Sequence, residues 1–94
     1  MNNTERDFCI MLAYVPEWTD YTIENISKKM IGTFSISLYE KVRDFSFIVN
    51  ENGRYRVHEA IRDIIFANTS KLVKEKYIRT MQEEANIEFE QIDH

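Results

Sequence analysis

From Phe8 to Val15 the chain is almost unbroken in apolar residues: Phe8, Cys9, Ile10, Met11, Leu12, Ala13, Tyr14 and Val15. Periodicity alone does not separate a buried strand from a buried helix in so short a run. The flanks favour a helix, since Thr4 followed by Asp7 resembles an N-cap and Pro16 provides a stop. The pattern predicts a first helix over about Glu5 to Val15, central to the core. Trp18-Thr19-Asp20-Tyr21 then reads as a turn into a second helix, with Thr19 or Asp20 accepting hydrogen bonds from the free amides of the first turn. Tyr21, Ile23, Ile26 and Met30 recur at near-helical spacing, Lys28 and Lys29 complement the dipole in the last turn, and Gly32 ends the helix. Ser35 or Ser37 caps a third helix to about Asp44. Its apolar positions are Ile36, Leu38, Tyr39, Val42 and Phe45, and its exposed ones Glu40, Lys41, Arg43 and Asp44.

At Phe45-Ser46-Phe47-Ile48-Val49 the period changes, and β-branched and aromatic residues take over. Asn50-Glu51-Asn52-Gly53 is a turn tetrad, and Arg54-Tyr55-Arg56-Val57-His58 alternates polar with apolar. Two short runs around Asn-Gly predict a β-hairpin, with Tyr55 and Val57 toward the core and Arg54, Arg56 and His58 away from it. A fourth helix begins at about His58 or Glu59, with Ala60, Ile61, Ile64 and Ile65 as its apolar stripe. Asn68-Thr69-Ser70 stops it and caps a fifth helix from about Lys71. There Leu72, Val73, Tyr77, Ile78, Met81 and Ala85 keep helical spacing, and Ile87, Phe89 and Ile92 continue apolar. The predicted fold is mainly α with a β-hairpin: a winged helix over residues 1–68, three helices plus a wing, followed by a C-terminal helical segment over residues 69–94. Two strands alone are not stable, so the hairpin needs the helices to cover its apolar face.

Composition narrows the class of function. With 94 residues, 44% hydrophobic and 30% charged, the chain has the balance of one folded domain rather than a disordered tail. A net charge of −4 disfavours nucleic acid, whose binding draws on neutralised phosphates. Cys9 is the single cysteine, so no internal disulfide forms and a reducing, cytoplasmic setting is expected. No apolar run approaches the roughly 20 residues of a membrane span, and the N-terminus lacks the regions of a secretory signal.

Chemistry is sparse. There is no Gly-rich phosphate loop, no Gly-x-Ser-x-Gly elbow and no His-Glu-x-x-His, so no catalytic residue is assigned. Cys9 sits inside the first apolar run as a structural thiol. Glu83-Glu84 and Glu88-Glu90 read as a solvated helix surface. Cys9, His58 and His94 show no ligand spacing, and no metal site is assigned. For DNA, a winged helix would use its third helix and its wing. The third helix sets Lys41 and Arg43 against Glu40 and Asp44, and the wing sets Arg54 and Arg56 against Glu51. A DNA-binding regulator would draw its contacts from Lys28, Lys29, Lys41, Arg43, Arg54 and Arg56. Trp18, Tyr21, Phe34 and Tyr39 either complete the core or form an apolar interaction surface.

The stretch Val42-Arg43-Asp44-Phe45-Ser46-Phe47-Ile48, and then Gly53-Arg54-Tyr55-Arg56-Val57-His58-Glu59-Ala60-Ile61-Arg62-Asp63, resembles the winged-helix domain of signal-transduction ATPases with numerous domains (the STAND class, including NB-ARC proteins). The resemblance runs from the first helix to about Ala67 and is most specific from Arg54 to Asp63. The fifth helix, with Lys76-Tyr77-Ile78 and Glu83-Glu84-Ala85-Asn86, resembles the start of a tetratricopeptide-like array. The resemblance implies a non-catalytic relay module that contacts neighbouring nucleotide-binding and helical-repeat domains or other protein partners. It also implies that His58, matching the His of the family's Met-His-Asp motif, senses bound ADP or ATP in a full-length parent. Val57 stands for that Met and Glu59 for that Asp. The phosphate loop is absent here, so the isolated chain is expected to hold no cofactor.

Overall fold

The apolar run near the N-terminus folds as α1 (Asn3–Tyr14) in a computed structural model that describes residues 2–83. Asn2, not Thr4, is its cap: the Asn2 Oδ1 accepts from the Glu5 amide at 2.8 Å. Asn2 holds the extended backbone a cap requires, and Thr4 already lies inside the first turn. Every residue from Phe8 to Val15 is buried except Ile10, which is half-buried. The first helix is therefore central to the core, as its composition predicts.

After Pro16 the chain turns. The Thr19 Oγ1 accepts from the amides of Tyr21 and Thr22 at 3.2 Å each, and the Thr22 Oγ1 accepts from the Thr19 amide at 2.9 Å. These bonds delay the second helix, α2 (Ile23–Ile31), and leave Tyr21 outside it. Tyr21 is 96% exposed, so its place on the buried stripe is corrected, while Ile23, Ile26 and Met30 are buried. Gly32, at φ +83°, terminates α2 in the left-handed region. The third helix, α3 (Ile36–Arg43), starts on Ser35, whose Oγ accepts from the Leu38 amide at 3.3 Å. Tyr39 and Val42 face inward, whereas Ile36 is 61% exposed.

Phe45, Ser46 and Phe47, expected on the first strand, form a turn instead. The amides of Phe45 and Ile48 are bonded back to the carbonyls of Val42 and Phe45. The hairpin comprises β1 (Ile48–Glu51) and β2 (Arg54–Val57), antiparallel, with Ile48 opposite Val57 and Glu51 opposite Arg54. Its two-residue loop places Asn52 at φ 56° and Gly53 at φ 84°, the positive pair that matches strand twist in a tight hairpin. Val57 is buried and Tyr55 half-buried, with Arg54, Arg56 and His58 exposed.

A further backbone pairing ties the hairpin to the start of the chain. The Trp18 amide donates to the Tyr55 carbonyl at 2.9 Å, and the Tyr55 amide to the Trp18 carbonyl at 2.8 Å. This single-residue bridge gives the outer edge of β2 a partner. Three helices, a hairpin and then two helices form a winged-helix-like arrangement.

The fourth helix, α4 (Glu59–Asn68), contains no fully buried residue. Of its expected stripe, Ile61 and Ile65 are half-buried, Ala60 is exposed and Ile64 is 57% exposed. The helix is seated by Ile61, which packs against the core cluster, and by Phe66, which stacks on Tyr14 at 4.6 Å. In α5 (Lys71–Glu83), Met81 is fully buried in the same cluster as Phe8, Met11, Leu12, Trp18, Ile23 and Val42. Tyr77 packs beside Tyr14 at 5.4 Å, so α5 closes the core of the preceding helices. Leu72 and Val73 face solvent at 78% and 39% exposure. The expected features at Glu84, Ala85, Asn86, Ile87, Glu88, Phe89, Glu90, Ile92 and His94 lie outside the described residues. Among the described residues, no helix is long and apolar enough to cross a membrane.

Candidate functional site

The third helix, the wing and the strand-to-helix junction behind it carry residues singled out in the sequence. Here one polar cluster sets their relative positions. The Tyr39 hydroxyl on α3 donates to the Asp20 Oδ1 at 2.6 Å, and the Arg43 Nη1 donates to the same oxygen at 3.0 Å. The Arg43 guanidinium lies 5.4 Å from the centre of the Tyr39 ring. Asp20 belongs to the turn that also carries Trp18, and Trp18 holds β2 through its backbone. The turn thus fastens α3 on one side and the wing on the other. The hydrogen bond from Tyr39, helped by the bond and charge of Arg43, holds the Asp20 carboxyl below its ordinary value against the opposing effect of burial. Burial and the adjacent carboxylate push the Tyr39 hydroxyl up.

The basic residues of this surface are engaged with the chain's own carboxylates. Lys28 meets Glu24 at 2.7 Å and Lys41 meets Glu5 at 2.8 Å. Arg43 meets Asp20 at 3.0 Å, and Arg54 meets Glu17 at 3.5 Å. Arg56 pairs with Glu51 across the hairpin. Lys29 occupies the last turn of α2. The acidic partners Glu5 and Glu17 carried no local signal in the sequence, because each lies more than thirty positions from its cation. Glu5 is itself buried at 6% exposure, with Lys41 reaching over it. Glu17, Glu51, Asn52, Arg54, Tyr55 and Arg56 surround an open, mostly polar hollow beneath the wing.

At the strand-to-helix junction His58 is exposed and caps α4: its Nδ1 accepts from the Ala60 amide at 3.1 Å. Its backbone amide donates to the Phe47 carbonyl at 2.7 Å, extending the hairpin by one bond. With Nδ1 used by the cap, Nε2 is the nitrogen open to an outside group. Glu59 follows in the first turn of α4, where its charge complements the helix dipole.

The four aromatics offered as one interaction surface are not brought together on the outside. Trp18 and Tyr39 are buried at 2% and 1% exposure, and Phe34 is half-buried against Tyr39 at 6.0 Å. Tyr21 alone among them is fully exposed. The large rings fill a small core because α3 and the hairpin close over them. Cys9 is buried, and burial together with the Glu5 charge pushes its thiol up to about 11. Among the described residues, no three His, Cys, Asp or Glu side chains converge as metal ligands. Comparison with known protein families, curated proteins and solved structures gave no match.

Proposed function

We propose that this chain is a non-catalytic winged-helix module of a STAND-type regulator, working through protein contacts and conformational relay rather than through DNA. The observation that carries this reading is the pairing of the helix and wing cations Lys28, Lys41, Arg43, Arg54 and Arg56 with internal carboxylates. A phosphate strand would have to displace those partners, and the chain as a whole repels it at −4. His58 and Glu59 are the residues assigned to nucleotide sensing, toward ADP or ATP held by a partner ATPase domain. The exposed His58 ring, whose Nδ1 is held by the cap so that Nε2 is left for another group, supports that assignment. The domain's neighbours in this reading are nucleotide-binding and helical-repeat domains, in the cytoplasm.

The alternative is a DNA-binding regulator using the same cations. Fluorescence anisotropy of labelled duplex DNA at low salt separates the two. No saturable binding is expected below micromolar protein, and sub-micromolar affinity that collapses with added salt overturns the proposal.

A further inference from the structure

We propose that the outward face of α5 docks an acidic amphipathic helix of a partner protein. This names a partner for the protein-contact reading above and rests on it. The first observation is where the uncompensated cations lie. The cations of α3 and the wing sit against carboxylates, as described, but those of α5 do not. Lys71, Lys76 and Arg79 have no carboxylate partner among the described residues. Lys74 lies over the Phe66 ring at 5.7 Å. Residues 71–79 hold four Lys and Arg against Glu75 alone, within a chain of net charge −4.

The second observation is that the same helix leaves apolar side chains in water. Leu72 is 78% and Val73 39% exposed, while Met81 is buried in the core and Tyr77 packs against it. Leu72, Glu75, Lys76 and Arg79 fall at i, i+3, i+4 and i+7, so they form one stripe. With Val73 they line an open depression along the helix. The exposed apolar pair Leu72 and Val73, flanked by Lys71, Lys76 and Arg79, fits a helix that presents leucine-like residues between glutamates. An anionic membrane fits it less well. The strip is narrow and carries no aromatic residue, Glu75 lies within it, and the opposite face of α5 is committed to the core.

The test titrates the full chain into a fluorescein-labelled synthetic helical peptide with leucines at i, i+3, i+4 and i+7 and flanking glutamates. Parallel arms use the same peptide with lysines for glutamates, phosphatidylserine-containing vesicles, and labelled duplex DNA. Saturable binding of the glutamate peptide is expected, weakening about tenfold with Lys76→Glu and unchanged with Lys28→Glu, a cation already paired. It also weakens with rising salt, since exposed charges are screened. Absence of binding, equal binding of the lysine peptide, indifference to Lys76→Glu, or binding of vesicles in place of peptide overturns the docking proposal. Tight DNA binding would instead overturn the module reading on which it rests, so the two failures are distinguishable.

Discussion

Replacing Tyr39 by Phe isolates the bond that sets α3 against the turn after α1. The ring is 1% exposed and packs edge-on to Phe8 at 6.5 Å, so Phe keeps the shape and removes only the hydroxyl. What disappears is a 2.6 Å hydrogen bond to the Asp20 carboxylate. A bond to a charged acceptor contributes about 1.5–3 kcal/mol. Asp20 is 47% exposed and keeps Arg43, so water and the guanidinium recover part of that. The expected loss is about 1–2 kcal/mol, or a fall in Tm of about 4–8 °C per kcal/mol for a domain this size. The pH dependence has a definite sign. The Asp20 carboxyl is held below its ordinary 3.8, so its contribution is present above that value and is lost as pH falls through the depressed one. The gap between wild type and Tyr39→Phe is therefore full at neutral pH and narrows in strong acid. Urea denaturation across that range measures it. Equal stabilities at neutral pH, or a gap that does not narrow in acid, refute the reasoning.

Three other substitutions or reagents probe separate parts of the fold. Met81→Ala should cost about 2–5 kcal/mol in chemical denaturation, because Met81 is fully buried; a cost typical of a surface site would show that α5 does not close the core. Gly53→Ala should cost about 1–2 kcal/mol from backbone strain alone, since φ is +84° and nothing lies within 4 Å of the added methyl. An unchanged Tm would contradict the tight hairpin loop. The Cys9 thiol, raised from 9.0 to about 11, should react with a disulfide reagent at mildly alkaline pH about a hundredfold more slowly than in the urea-unfolded chain. Equal rates would contradict its burial.

The local features were legible and the long-range ones were not. Asn52-Gly53 announced the hairpin because a two-residue loop needs two positive φ angles, and Gly32 and Ser35 marked helix ends for similarly local reasons. The Trp18–Tyr55 bridge, the Glu5–Lys41 pair and the Asp20–Tyr39–Arg43 cluster join residues 19 to 37 positions apart. Periodicity carries no information about such pairings. The same limit explains the aromatics. The sequence left Trp18, Tyr21, Phe34 and Tyr39 either in the core or on an interaction surface, and only the pairing of the hairpin with Trp18 placed that ring inside. In α4, spacing identified an apolar stripe, while its depth of burial depended on Phe66 finding Tyr14. At the junction His58 was singled out by the family resemblance, and the structure adds that its Nδ1 accepts from the Ala60 amide.

The central claim is that the wing and helix cations are occupied by the chain's own carboxylates. It is tested most directly by titrating labelled duplex DNA, at low salt, with wild type and with a variant carrying Glu17→Gln and Glu51→Gln. These changes release Arg54 and Arg56. The account predicts no saturable binding by wild type and a gain of about tenfold or more in the variant, reversed by salt. Tight DNA binding by wild type that the two substitutions leave unchanged would contradict it.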